Sequence, residues 1–425
     1  MVELALWVPL LFVAEYALDL TLDLLNLQHS RRHGSVLPPE LEGSVPVDKQ
    51  LAAQAYLRDS TRFGMVHSTY SLLVFLGFLA WGGFEFFDRV ARGWASHPWL
   101  AGLCFVGLLS LANGIIEMPF SIYSTFVLEE KHGFNRTTPR TFVVDRLKGL
   151  LLAVVLGAPI FVAVCRFFEA LGPGGWWIVW LAFAAFNLLL AFLAPVLIFP
   201  LFNKFKPLPE GVLKSAIDDY ARSQSFRMSG VFVMDGSTRS AKTNAFFTGF
   251  GRTKKLALFD TLIEKQSAEE IVAVVAHEVG HFKEGHIPKS IGLGLITMGI
   301  LFFTLSRFLN NESLFHAFGM QNASVYGSLV LMSFVYSPVS RALSLFPNWF
   351  SRKNEFEADR YSLRTYGNPQ ALTSALKKLS TDNLSNLSPH PWKVAMDYTH
   401  PPVIKRIRAL RASAHAGGPG PKAPA

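Results

Sequence analysis

The chain has 425 residues, of which 50% are hydrophobic and only 17% charged, with a formal net charge of +9 at neutral pH. This apolar balance, with positive mean hydropathy, excludes an ordinary soluble globular protein and points to a polytopic membrane protein. The Lys and Arg residues lie in loops between apolar runs and form no aromatic-laced patch, so the expected partner is a lipid bilayer and not nucleic acid.

Seven runs reach the ~20 apolar residues that a spanning helix needs. They are 4–25, 65–87, 100–120, 149–168, 176–202, 291–309 and 325–345. The first has no basic lead and no small-residue cleavage site, so it reads as a retained helix and not a signal peptide. Arg31, Arg32, Lys49, Arg58 and Arg62 follow it, the next loop holds only Arg89 and Arg92, and the third is again basic. This alternation predicts an external N-terminus, with 203–289 and the C-terminus cytoplasmic. The Asn311 and Asn322 glycosylation strings then fall on the opposite face. Cys104 and Cys165 lie inside apolar runs and imply neither a disulfide nor a thiolate ligand. Glu15, Asp19 and Asp23 share one face of the first helix, as Asn113 and Glu117 do on the third; they line a wet cavity or, for the first three, sit near the cytoplasmic interface.

The expected organisation is five helices over 1–202, a catalytic segment over 203–289, helices six and seven over 290–346, a second catalytic segment over 347–413, and a disordered tail over 414–425. Within 203–289, short strands are expected at 231–234, 245–250 and 256–259, separated by Gly and charged turns. A helix follows from Ser267, opened by Glu269 and Glu270.

That helix carries His277-Glu278-Val279-Gly280-His281. Residues four apart project from one helix face, so both imidazoles reach one zinc ion, and Glu278 stands beside them as the general base. Gly280 costs ~1 kcal/mol in a helix interior and marks close packing there. A catalytic zinc needs a third protein ligand and one open position. Glu355 is the preferred third ligand, with Asp359, four residues on, orienting a histidine through its other ring nitrogen. Glu357 is the rival ligand, and a solvated helix face is the bland alternative for the acidic residues. His286 either extends the site or is an exposed histidine at a helix end.

These strings, with Phe134-Asn-Arg-Thr-Thr-Pro, Lys242-Thr-Asn-Ala-Phe, Leu256-Ala-Leu-Phe-Asp260 and Thr399-His-Pro-Pro, resemble the integral-membrane zinc metalloprotease family that contains the type I CAAX prenyl endopeptidase. The resemblance covers most of the chain. It implies an all-α multi-pass protein whose seven transmembrane helices form a barrel around a chamber, with a mainly α cytoplasmic protease domain carrying a small β-sheet. It also implies that Asn244, Ala245 and Phe246 form a strand edge that binds substrate and that His400 stabilises the reacting carbonyl. Lys405-Arg406 departs from the acidic-basic pair usual in the family, which puts only local pairing in doubt.

The expected activity is zinc-dependent endopeptidase chemistry with one Zn2+ per chain, on prenylated CAAX proteins or on misfolded membrane proteins. The expected location is the endoplasmic reticulum or a bacterial inner membrane. The alternative of another class is a non-proteolytic metal-binding transporter or scaffold.

Overall fold

Backbone groups inside a bilayer have to satisfy one another, which favours continuous helices. The computed structural model describes residues 2–34, 37–249 and 254–415. Among the described residues six helices are long and apolar enough to span: Leu4–His33, Val47–Trp81, Pro98–Glu129, Pro139–Leu171, Pro173–Phe202 and His286–Phe308. A seventh unit is bent by 45° between Val325–Leu343 and Leu345–Tyr366. Most helices outrun the expected apolar stretches, because extending an existing helix into polar residues is far easier than starting one. The second likewise begins early, at Val47, but stops short of residue 87. Gly82 adopts φ 78° and returns its N–H to the carbonyls of Phe78 and Leu79, so a separate helix, Gly83–Trp94, begins there.

At most 17% of the most apolar stretch of any of the six spans is buried. Leu73, Leu111, Leu150, Leu151 and Ile296 are each 62–63% exposed. Helices packed as a solid bundle would each bury a face, so these form a wall one helix thick around a hollow. They share a core where Phe84, Phe105, Phe168, Phe302, Phe315 and Phe318 meet. His67 and Glu117 pair at 2.6 Å while about a third exposed, a placement that suits the hollow and not lipid. Asp19 and Asp23 instead form ion pairs: Asp19 with Arg341, Asp23 with Lys393, and both cations with Asp397. These bonds tie the first span to the helix Pro391–Asp397.

Among the described residues the sheet has four strands, β1 (Phe205–Pro207), β2 (Gly230–Met234), β3 (Ala245–Thr248) and β4 (Lys255–Phe259), in the order β1-β2-β4-β3. β2 and β4 run parallel, while β1 and β3 lie antiparallel at the two edges. β3 ends at Thr248, short of the expected 250, with Gly249 at φ 85° just beyond it and Phe250 outside the described residues. β1 was not expected, because Lys206 and Pro207 break the apolar alternation; an edge tolerates both. Leu256, Leu258, Leu262, Ile271, Val275 and Val279 form the core beneath the sheet. The last helix, Val403–His415, runs two residues into the stretch 414–425 expected to be disordered, and 416–425 lie outside the described residues.

Candidate metal centre and active site

The helix Ala268–Lys283 starts at a capping box: Ser267 Oγ accepts from the Glu270 N–H, and a Glu270 carboxylate oxygen accepts from the Ser267 N–H. Glu270 also takes bonds from Ser374 Oγ (2.6 Å) and Lys378 Nζ (2.7 Å), which fasten this helix to Pro369–Asp382. Its other flank meets Leu345–Tyr366 at Gly280. A Cβ there would lie 3.0 Å from Tyr361 Cβ and 3.1 and 3.2 Å from the Ala358 backbone, so a methyl would force the two helices to give by a few tenths of an ångström. Ser362 Oγ donates to the Ala273 carbonyl at 3.0 Å and adds a polar stitch.

This crossing brings together residues 277, 281 and 355. His277 Nε2 and His281 Nε2 are 3.1 Å apart, and Glu355 carboxylate oxygens lie 3.4 and 3.3 Å from them. His277 Nδ1 donates to Asp359 Oδ1 at 2.9 Å, which leaves Nε2 as the ring's acceptor in the neutral tautomer. Two acceptor nitrogens and a carboxylate facing one point repel unless a cation lies among them. Glu355 Oε2 is buried and accepts no hydrogen bond, although Arg406 Nη1 is 3.1 Å away. A carboxylate that turns one oxygen to each imidazole, one of the two without a hydrogen bond, fits a metal of the zinc type, for which nitrogen and carboxylate donors are suitable.

The rival Glu357 lies apart from this group and pairs with His286 at 3.1 Å. His286 is not an exposed residue at a helix end: it is 3% exposed, and its Nδ1 meets His281 Nδ1 at 3.0 Å. The pair Glu357–His286 therefore braces His281 as Asp359 braces His277. Nothing in the local spacing announced this, because His286 reaches back across the turn at Gly285, where φ is 70°.

Residues 26–204 match the family described as CAAX prenyl protease N-terminal, five membrane helices, and residues 207–414 match Peptidase family M48. The chain belongs to peptidase family M48. It is 36% identical over 411 residues to the CAAX prenyl protease 1 homolog of Oryza sativa subsp. japonica, covering 94% of this chain and 95% of that relative. It is 31% identical over 409 residues to CAAX prenyl protease 1 of Saccharomyces cerevisiae, covering 90% of each. The crystal structure of S. mikatae Ste24p superposes with a TM-score of 0.90 at 30% identity, over 96% of this chain and 99% of that one. The protein is thus a membrane-embedded metalloendopeptidase, and the expected alternative of a transporter or scaffold is set aside.

The peptidase's metal group opens into a cavity of about 800 Å3 lined by Glu278, His400, Asn244, Ala245 and Phe246. Burial raises the Glu278 carboxyl above the ordinary carboxylate range, with the neighbouring histidines pulling the other way. His400 Nε2 is 3.3 Å from Glu355 Oε1, and Nδ1 meets Thr399 Oγ1 at 2.9 Å. Its side chain is 65% exposed, so it faces the cavity with a free edge. The outer edge of β3 borders the same cavity. Asn383 holds the chain entering β3, accepting from the Thr243 N–H (3.0 Å) and donating to its carbonyl (3.2 Å).

Sequence reading missed Arg406, which was expected to affect only local pairing. It is 8% exposed, binds both Asp359 oxygens at 2.6 and 2.8 Å, and reaches Glu355 at 3.1 Å. Burial opposes its charge, but these carboxylates outweigh it and hold the guanidinium ionised. For His277, burial likewise disfavours the cation, yet the Asp359 and Glu355 carboxylates beside its two ring nitrogens prevail and push its pKa up to about 9.

Proposed function

We propose that this peptidase is a zinc enzyme with one catalytic ion per chain, held by His277, His281 and Glu355, that cleaves prenylated CAAX proteins near their C-terminus. The observation that carries the reading is the meeting of two acceptor nitrogens and an orphaned carboxylate oxygen beside Glu278, in a cavity bordered by a free strand edge. The substrate class follows the names of the rice and yeast relatives. Loop charge supports a cytoplasmic site for both catalytic segments, 203–289 and 347–413, in an endoplasmic reticulum or bacterial inner membrane.

A zinc ion held by His277, His281 and Glu355 would supply Lewis acidity toward the scissile carbonyl and lower the pKa of the attacking water. Glu278 takes a proton from the attacking water and returns it to the departing amine. Its raised pKa brings the carboxyl closer to neutrality, where accepting and donating are both accessible. The outer edge of β3 and the Asn244 that precedes it would bind the substrate main chain in an extended form, the peptide replacing Asn244 Oδ1 as acceptor for the Ala245 N–H, which now meets it at 2.9 Å. His400, exposed at the cavity wall, would turn its Nε2 from Glu355 Oε1, 3.3 Å away, to donate to the developing oxyanion. Asp359 and Arg406 keep His277 in the tautomer whose Nε2 faces the ion.

The test is cleavage of a farnesylated CAAX peptide by wild type and Glu278→Gln, with metal content measured in both. The variant should keep its zinc and lose about 10²–10⁴ in kcat. Cleavage at the wild-type rate would remove Glu278 from the mechanism. Equal rates on farnesylated and unprenylated peptides would reject prenyl specificity and favour a general role on misfolded membrane proteins.

A further inference from the structure

A groove runs between the second and third spans on the outside of the hollow. Its volume is about 550 Å3, its walls include Phe63, Val66, Phe120, Tyr123 and Val127, and Asp59, Arg62 and Lys131 stand at one end. The opening faces lipid. Val66 and Leu73, two turns apart, are 63% and 62% exposed, while His67 turns away to meet Glu117. At ~100° per residue, Pro119 and Tyr123, which also line the groove, stand about 160° and 120° around the helix from Glu117, and so away from the hollow.

The charged end selects the occupant. Arg62 precedes the apolar run that starts at residue 65, and Lys131 follows the end of the third span at Glu129, so both stand at headgroup level. Lys131 pairs with Asp59 at 2.7 Å, and Arg58 and His132 reach the same carboxylate at 3.2 Å. Arg62 is exposed and makes no ion pair among the described residues. Asp59 is therefore more than neutralised, and net positive charge stands at the end of an apolar slot. An acyl chain suits the slot and a phosphate suits Arg62, whereas a zwitterionic headgroup brings its own cation against the same residues. Basic pockets between spans on the cytoplasmic side, where loop charge puts these residues, take anionic headgroups.

One wall of the groove leads to the substrate edge. Val127 and Leu128 belong to the π-turn Ser124–Glu129, and such turns recur at functional sites. Its last residue, Glu129, accepts from Tyr56 Oη at 2.6 Å and pairs with Lys242 Nζ at 3.0 Å. Lys242 also donates to Tyr56 Oη at 2.9 Å and lies 4.5 Å over the Phe134 ring. The Phe134 carbonyl accepts from the Ala241 N–H at 3.0 Å. The chain entering β3 is thus bonded to the turn that walls the groove.

We propose that this groove binds an anionic phospholipid of the surrounding bilayer and that its occupancy steadies residues 242–246; the effect on peptide binding rests on the reading of β3 as the substrate edge. The phosphate meets Arg62 and Lys131, and one acyl chain runs past Phe63 and Tyr123. Packed against Val127 and Leu128, that chain holds Glu129 against Lys242.

The full-length protein in detergent is titrated with phosphatidylglycerol or phosphatidylcholine, and bound lipid is counted by native mass spectrometry. Wild type should retain phosphatidylglycerol and release phosphatidylcholine. Arg62→Gln with Lys131→Gln should weaken retention about thirtyfold, at roughly fivefold per basic residue near a lipid surface. Val66→Trp, which fills the slot and spares the charges, should also lose it. Equal retention of both lipids by wild type, or undiminished retention by Val66→Trp, would overturn the site. Hydrogen exchange of amides 243–248 then reads the coupling, in phosphatidylcholine vesicles with and without phosphatidylglycerol. The anionic lipid should slow exchange in wild type but not in Val66→Trp, nor in Lys242→Met, which still binds the lipid. Unchanged exchange in wild type would overturn the coupling. KM for a farnesylated peptide should fall several-fold in the same vesicles with kcat steady, Val66→Trp controlling for partition of the peptide into the membrane. If exchange slows and KM does not move, the lipid site stands and β3 is not the substrate edge.

Discussion

Gly280→Ala probes how tightly the metal centre depends on one contact. In a helix interior this change normally gains about 1 kcal/mol. Here the added methyl would sit 3.0–3.2 Å from Tyr361 Cβ and the Ala358 backbone, none of which is the movable end of a side chain. Overpacking of this kind costs about 1–3 kcal/mol, or is relieved when the helices separate by a few tenths of an ångström. Separation carries His277 and His281 away from Glu355, whose oxygens are 3.4 and 3.3 Å from them. Catalytic constellations tolerate about 0.5 Å of looseness. We expect zinc dissociation to rise about tenfold and kcat/KM to fall at least as much, with the membrane fold retained. Gly292→Ala is the control, since a Cβ there meets nothing within 4 Å. The measurements are metal retained after dialysis and peptide cleavage for both variants. Wild-type zinc affinity and kcat/KM in Gly280→Ala would refute the idea that this contact sets the ligand distances.

Arg406→Met leaves the buried Asp359 carboxylate without its bidentate partner, a loss of about 3–5 kcal/mol seen as a lower unfolding temperature of the metal-free protein. Arg406→Lys should recover only part of it, because an ammonium cannot match both oxygens. Binding of zinc must displace a proton from His277, whose pKa stands at about 9. Apparent zinc affinity should therefore climb by about tenfold per pH unit up to that value and level off above it, as followed by competition with a chelator. In the metal-free protein the sign reverses. The raised value gives a stabilisation that is complete below the ordinary histidine value of about 6.5 and lost as pH rises through about 9, so metal-free unfolding temperatures should fall over that window. Asn383→Leu unties Thr243 and should raise KM for peptides several-fold with little change in kcat, because it loosens the strand that receives substrate and leaves the metal centre alone.

Much of this architecture was legible because hydrophobic runs and helical spacing are local signals. The apolar stretches located the spans, and the four-residue interval between Glu355 and Asp359 put them on one face toward the histidines. Gly280 declared a close approach without naming what approached. Bonds made across long sequence gaps were illegible. His286 depends on Glu357 from a helix beyond two spans, and Arg406 joins Asp359 from the final helix. β1 stayed hidden because an edge strand needs only one set of backbone partners, and its Lys and Pro carry no apolar alternation. Asp19 and Asp23 had two readings by sequence alone, a wet cavity or the cytoplasmic interface, and neither named their ion-pair partners Arg341 and Lys393, which come from distant helices.

The crossing at Gly280 joins segments that the ribosome does not make together. His281 and Glu355 are 74 positions apart by subtraction (355 − 281), and two further membrane helices lie between them. At about 5–20 residues per second, the histidine pair waits some ~4–15 s before its carboxylate partner exists, and longer before the bent span is inserted. During that interval the nascent chain offers a two-nitrogen site that releases metal easily. With the proposed ligand set, an ion would be kept only after the last hydrophobic segment is in the bilayer, and a chain stalled earlier would lack proteolytic capacity.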